Sequence, residues 1–176
     1  MRLAVVSAIL LIVAAGIPVV YGYFSARESI TNKLRPGGSN IRIAETFTPP
    51  ETIKPGDIIE KNVKVQNEGP GSCFVRIKVV FSDSLMEQYC KPDWNNTDFV
   101  YSSSDGYYYY KHVLDYDRAK EQGESTESLF TSIAIKEEAP EEKMKSFDVI
   151  VYAESYQAEE GMDYREAWEK YRRNRG

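Results

Sequence analysis

The chain has 176 residues, 22 basic against 27 acidic, for a formal net charge of −5 and 42% hydrophobic residues. That acidic balance argues against nucleic acid as a partner, because phosphate binding needs a basic face. A single histidine, His112, excludes the two-histidine helical zinc site of a metalloprotease.

The chain opens on an apolar run, Leu3 to Val20, behind Arg2, with no further charge before Arg27. This pattern predicts an export signal or a membrane anchor over residues 1–23. Gly16, Pro18 and Gly22 interrupt the run, and Val20 and Gly22 supply modest residues before a cut, so the predicted cleavage region is Val20, Gly22, Tyr23 and Phe24. The segment "GYFSARE" resembles a prepilin cut, but there the apolar helix follows the glycine, whereas here it precedes it. Removal of residues 1–23 takes away Arg2 and no acid, leaving 21 basic against 27 acidic residues in a length suited to one domain.

Residues 24–40 read as an extended arm, polar and weakly patterned, that ends in Pro36, Gly37 and Gly38. From 41 to 160 the chain alternates strand and turn signals. Strands are expected at 41–47, 58–66, 73–81, 106–113, 129–136 and 147–157. In "CFVRIKVVF" the period-two pattern puts Cys73, Val75, Ile77, Val79 and Phe81 on a dry face and Phe74, Arg76, Lys78 and Val80 on a mostly wet one. In "FDVIVYAESYQA" both faces begin apolar, which suits a central strand or one covered on its far side. These features predict an all-β fold, an antiparallel two-sheet β-sandwich of jelly-roll or immunoglobulin-like kind, with an N-terminal signal helix. A short helix is expected around Asp83–Cys90. A better one is expected in the tail at 161–176, capped by Asp163, with Tyr164, Trp168 and Tyr171 at i, i+4 and i+7.

The catalytic constellations sought among these residues are not present. A Ser-His-Asp or Cys-His site would have to use His112, which reads as an ordinary strand residue, and no Gly-rich phosphate loop occurs. In "DYDRAKEQGEST" Asp115 and Asp117 fit the first places of an EF-hand loop, but Lys120 stands where glycine is needed and Thr126 where glutamate is needed. No cofactor or metal ligand set is assigned. Cys73 and Cys90 form an even pair in a chain read as exported, which permits a disulfide, while buried free thiols are the alternative.

Four consecutive tyrosines, Tyr107, Tyr108, Tyr109 and Tyr110, pose a packing problem. Successive strand residues face opposite sides, so one pair enters the core and the other lies outside. The outer pair is either a tolerated aromatic face or part of an interaction patch covered by the helix carrying Trp168, by a donated strand or by a neighbouring subunit.

Several segments occur together in order: "YGYFSA", "IRIAETF", "IKPGDIIEKNVKVQNEGPGSCFVRIKV", "DGYYYYKHVL", "GESTESLFTSIAI" and "VYAESYQAEEGMDYREAW". Together they resemble the TasA/camelysin-like family of exported Gram-positive proteins, over almost the whole chain. The resemblance implies processing by a SipW-type signal peptidase, a β-sandwich, and display at the cell surface or in biofilm matrix; with the export signal and the lack of a catalytic constellation it leads to the expectation of a secreted, non-enzymatic structural protein. Some relatives polymerise into fibres, so assembly into fibres or co-assembly with sibling subunits by strand donation is expected, with membrane contact only through the N-terminal segment before cleavage. A surface adhesin using exposed aromatic residues is the alternative. The inserted "DYDRAKEQ" between Leu114 and Gly123 departs from the family pattern.

In fibre-forming relatives the segment after the cut adds as a strand to a neighbour. Here that donor strand would carry Phe24, Ile30 and Leu34, whose even numbers place them on one strand face.

Overall fold

The computed structural model describes residues 24–32, 40–141, 144 and 147–174. The expected signal or anchor segment, with Val20, Gly22 and Tyr23, lies outside them, as do Leu34 and the Pro36–Gly38 turn. None of the helices among the described residues is long and apolar enough to cross a membrane.

The chain is mostly antiparallel β, in the order β1 (Phe24–Asn32), β2 (Ile41–Phe47), β3 (Ile58–Asn67), β4 (Cys73–Phe81), α1 (Ser84–Tyr89), β5 (Cys90–Pro92), β6 (Phe99–Ser102), β7 (Tyr107–Tyr110), β8 (Tyr116–Asp117), β9 (Gln122–Gly123), β10 (Phe130–Ile135), β11 (Phe147–Gln157) and α2 (Tyr164–Arg173). Five strands form one sheet in the order β1-β11-β4-β7-β6, four form another in the order β2-β3-β10-β5, and β8 and β9 make a small hairpin. Strand β1 runs parallel to β11, from Phe24 beside Phe147 to Asn32 beside Ser155; the other pairings are antiparallel.

The alternation in the sequence explains the core. One buried cluster takes Ile41, Ile43, Ile59, Val63, Val65 and Ile133 from the four-stranded sheet, and Cys73, Val75, Ile77, Tyr108, Val149 and Val151 from the five-stranded sheet. Each large apolar side chain so removed from water contributes about 1.5–3 kcal/mol. Lys61 shares the buried register of β3, and its ammonium lies 2.6 Å from Glu45.

Local chemistry places the irregular parts. Asp83 caps α1 by accepting from the backbone N–H groups of Leu85 and Met86, and Met86 is buried. The register shift of β10 against β3, between Phe130 and Ser132, is held by Asp93, whose carboxylate accepts from Thr131 N at 2.8 Å, Ser132 N at 2.7 Å and the Thr131 hydroxyl at 2.6 Å. Burial works against this carboxylate, but those hydrogen bonds outweigh it and hold its pKa below the ordinary value.

Two expectations need correction. The tyrosine strand ends at Tyr110 rather than Val113, so His112 sits in a bend past β7, exposed, with Nε2 3.4 Å from Asp98. The face of β4 expected to be wet is dry in its first half: Phe74 and Arg76 are 1% and 5% exposed. The reason is α2, which packs over that face.

Candidate functional site

The helix α2 begins where expected, with Asp163 accepting from Glu166 N at 2.9 Å. Its buried side is Ala167, Trp168 and Tyr171, with Tyr164 half-buried. This stripe closes over a second buried cluster, built from Phe74, Tyr109 and Tyr156 on the outer side of the five-stranded sheet.

The four tyrosines therefore divide as the strand period requires. Tyr108 and Tyr110 join the inter-sheet cluster, where Tyr108 stacks on Trp94 with ring centroids 4.4 Å apart. Tyr107 and Tyr109 lie on the outer side, and Tyr109 meets Trp168 edge-on at 5.7 Å. Of the three covers considered for the outer pair, the helix carrying Trp168 is the one observed. The expected interaction patch is thus largely internal: Tyr108, Tyr109, Tyr110 and Trp168 are all under 10% exposed.

At the centre of this outer cluster lies Arg76. Its Nε donates to Glu154 Oε2 at 2.8 Å, its Nη2 donates to the same oxygen, and Tyr171 Oη donates there at 3.2 Å. Its Nη1 donates to Tyr109 Oη at 3.1 Å, and that hydroxyl in turn donates to Asp105. The guanidinium carbon sits 4.0 Å from the Tyr107 ring centroid, 4.5 Å from Trp168 and 4.8 Å from Tyr171.

Burial disfavours the guanidinium charge, yet the Glu154 and Tyr109 hydrogen bonds outweigh it and raise its pKa above the ordinary arginine value. For Asp105, burial raises the pKa, but hydrogen bonds from Tyr109, Ser102 and the Tyr107 backbone, with the Arg76 charge, bring it below the usual carboxylate range. Burial first, then the Asp105 contact, pushes the Tyr109 phenol up. The cluster sets one guanidinium against two carboxylates and ties β4, β11, the β6–β7 turn and α2 together.

Beside this cluster runs a groove of about 600 Å³ between α2 and the β6–β7 hairpin. Val100, Ser102, Tyr109 and Trp168 line its sheet side and floor, with Arg165 and Arg172 on the helix side. The Trp168 indole N–H is buried with no hydrogen-bond partner among the described residues. The groove's rim, β6, was not expected as a strand, since "FVYS" is four residues long and unmarked by alternation of polarity.

The remaining sequence candidates lie elsewhere. Cys73 and Cys90 are separate free thiols, one on each sheet, rather than a bridge. Burial, aided by Asp115 for Cys73 and Glu87 for Cys90, pushes each pKa up to about 12. In the loop over 115–124, Asp117 accepts from Ala119 N and Lys120 N and pairs with the Lys120 ammonium at 2.8 Å, while Glu124 accepts from Asp115 N at 3.0 Å. Among the described residues no group of three or more His, Cys, Asp or Glu side chains is placed to hold a metal ion. The arm positions Phe24 and Ile30 lie in β1, beside Phe147 and Ala153 of the same chain.

No family model, no curated protein and no solved structure matches this chain.

Proposed function

We propose that this chain is an exported, non-enzymatic structural protein of the TasA/camelysin-like kind: a two-sheet β-sandwich of the cell surface or biofilm matrix. In this reading a SipW-type signal peptidase frees the N-terminus near Phe24, and the mature subunit joins copies of itself or sibling subunits. The observation that carries the reading is β1. It is the first described strand after the expected cut and lies at the edge of a sheet, paired with β11 over nine residues. Backbone pairing of an edge strand transfers between molecules without new chemistry, because the partner strand offers the same donors and acceptors wherever β1 comes from. Exchange of β1 onto the β11 of a neighbour would convert the pairing within one chain into a link between chains.

The experiment compares protein starting at Phe24 with protein starting at Ile41, by sedimentation and electron microscopy under fibre-promoting conditions. The expected result is polymer from the longer form alone. Equal polymerisation by both, or by neither even with sibling subunits added, would overturn strand donation. A second reading, a surface binding module, draws on Tyr101, which is 52% exposed. Purified protein with specific turnover lost on one point substitution would overturn both.

A further inference from the structure

We propose that the β6 edge and the groove beside it form a docking site for a short extended peptide segment of another protein, which adds as a strand next to β6. The inference is independent of what β1 does, since β6 is the opposite edge of the same sheet.

Three observations carry it. First, β6 pairs with β7 alone among the described residues, so one row of its backbone donors and acceptors faces away from the sheet. Second, Val100 and Tyr101 are consecutive residues of this edge and are 38% and 52% exposed; only Ile58 joins them as an exposed large apolar residue among those described. Consecutive strand positions face opposite sides, so an added strand finds an apolar neighbour on each. Val100 lies beside Tyr109 on the groove side, and the Tyr101 ring lies tilted against Tyr108, centroids 4.8 Å apart, on the other. Third, the groove is already formed, and the exposed Arg165 and Arg172 stand on its helix side.

The dimensions select the occupant. Four strand residues span about 13 Å, too little for the roughly 800 Å² per partner of a stable interface between folded subunits. A linear segment fits such an edge, with main-chain bonds supplying affinity and alternate side chains supplying specificity. On the groove side, the exposed Arg165 and Arg172 are donors, while Asp105 is already held by Tyr109 and Arg76. Glu169 is the remaining acid of the lining. The donors favour a carboxylate side chain at the groove position, and Tyr101 favours valine-like residues at the alternate positions.

The test uses the full chain in mild detergent and the fluorescein-labelled peptide TVTVEVTV, blocked at both ends, read by fluorescence anisotropy. Saturable binding below 1 mM is expected. It should weaken at least tenfold when the glutamate becomes lysine or the two central valines become proline. The same loss is expected in Val100→Glu and Arg172→Glu proteins, which alter exposed side chains and should keep the wild-type melting temperature. No binding at 1 mM, equal binding of all three peptides, or unchanged binding by both variants overturns the proposal. So does concentration-dependent dimerisation that Tyr101→Lys abolishes, which would make a second copy the occupant.

Discussion

Tyr109 Oη stands between opposite charges, accepting from the Arg76 guanidinium at 3.1 Å and donating to the Asp105 carboxylate. This single hydroxyl couples β4, the β6–β7 turn and, through Arg76 and Glu154, the helix α2. Loss of any member leaves a buried charge or dipole facing a missing partner.

For Arg76→Ala we expect destabilisation of about 3–5 kcal/mol, because Glu154 stays buried without its cation. Replacing the pair together, Arg76→Met with Glu154→Leu, should recover most of that loss. Urea denaturation of the three proteins decides it. Equal losses in the single and double variants would show that packing, not charge, fixes α2.

The depressed pKa of Asp105 gives a pH dependence of known sign. Its contribution is complete above the ordinary carboxylate value of 3.8 and is lost as pH falls through the lower folded value. In a Trp94→Phe background, Trp168 fluorescence should therefore change on acidification below about pH 4. Asp105→Asn should shrink the acid limb of the stability profile. An unaltered limb would place the titration at another group, Asp93 first.

Gly123 admits no side chain. A Cβ there would stand 1.7 Å from the carbonyl oxygen of Asn67. Asn67 is itself fully buried and ties the 67–71 turn to Leu114, through Nδ2 to Gly71 O at 2.9 Å and to Leu114 O at 3.1 Å. Gly123→Ala should cost about 1–3 kcal/mol or more by forcing these backbones apart, measured as a fall in melting temperature. Gly161→Ala is the control: its Cβ would meet no atom within 4 Å, so only its positive φ of 74° resists.

Both thiols should be silent toward an aromatic disulfide reagent at pH 8 in the native protein and titrate as two on unfolding. Native reaction at either site, or no free thiol after denaturation, would contradict the separate buried cysteines.

What the sequence made legible follows from period. In Ile41–Phe47, Ile58–Asn67 and Phe147–Gln157, apolar residues hold most of one alternating register (Ile41, Ile43 and Phe47; Ile59, Val63 and Val65; Phe147, Val149, Val151 and Ala153), and each appears as a strand with little error at its ends. The stripe of Tyr164, Trp168 and Tyr171 likewise reveals α2. Arg76 and Glu154 escape this reading because a charge in a strand reads as solvated; their burial depends on each other and on a helix some ninety positions downstream of Arg76. The short strands β5, β6, β8 and β9 hold too few residues to show a period, and their neighbours in space define them.

The parallel pairing of β1 with β11 has a temporal side. The two strands are roughly 120 positions apart, so closing that contact is among the slowest steps topology imposes. A ribosome delivers β1 first and its partner among the last strands, so throughout synthesis β1 has no place of its own to go. Under the proposed strand exchange, its own β11 and that of a neighbouring chain would compete for the same nine residues. The outcome would then turn on local concentration: dilute chains would close on themselves, and crowded chains would meet each other first.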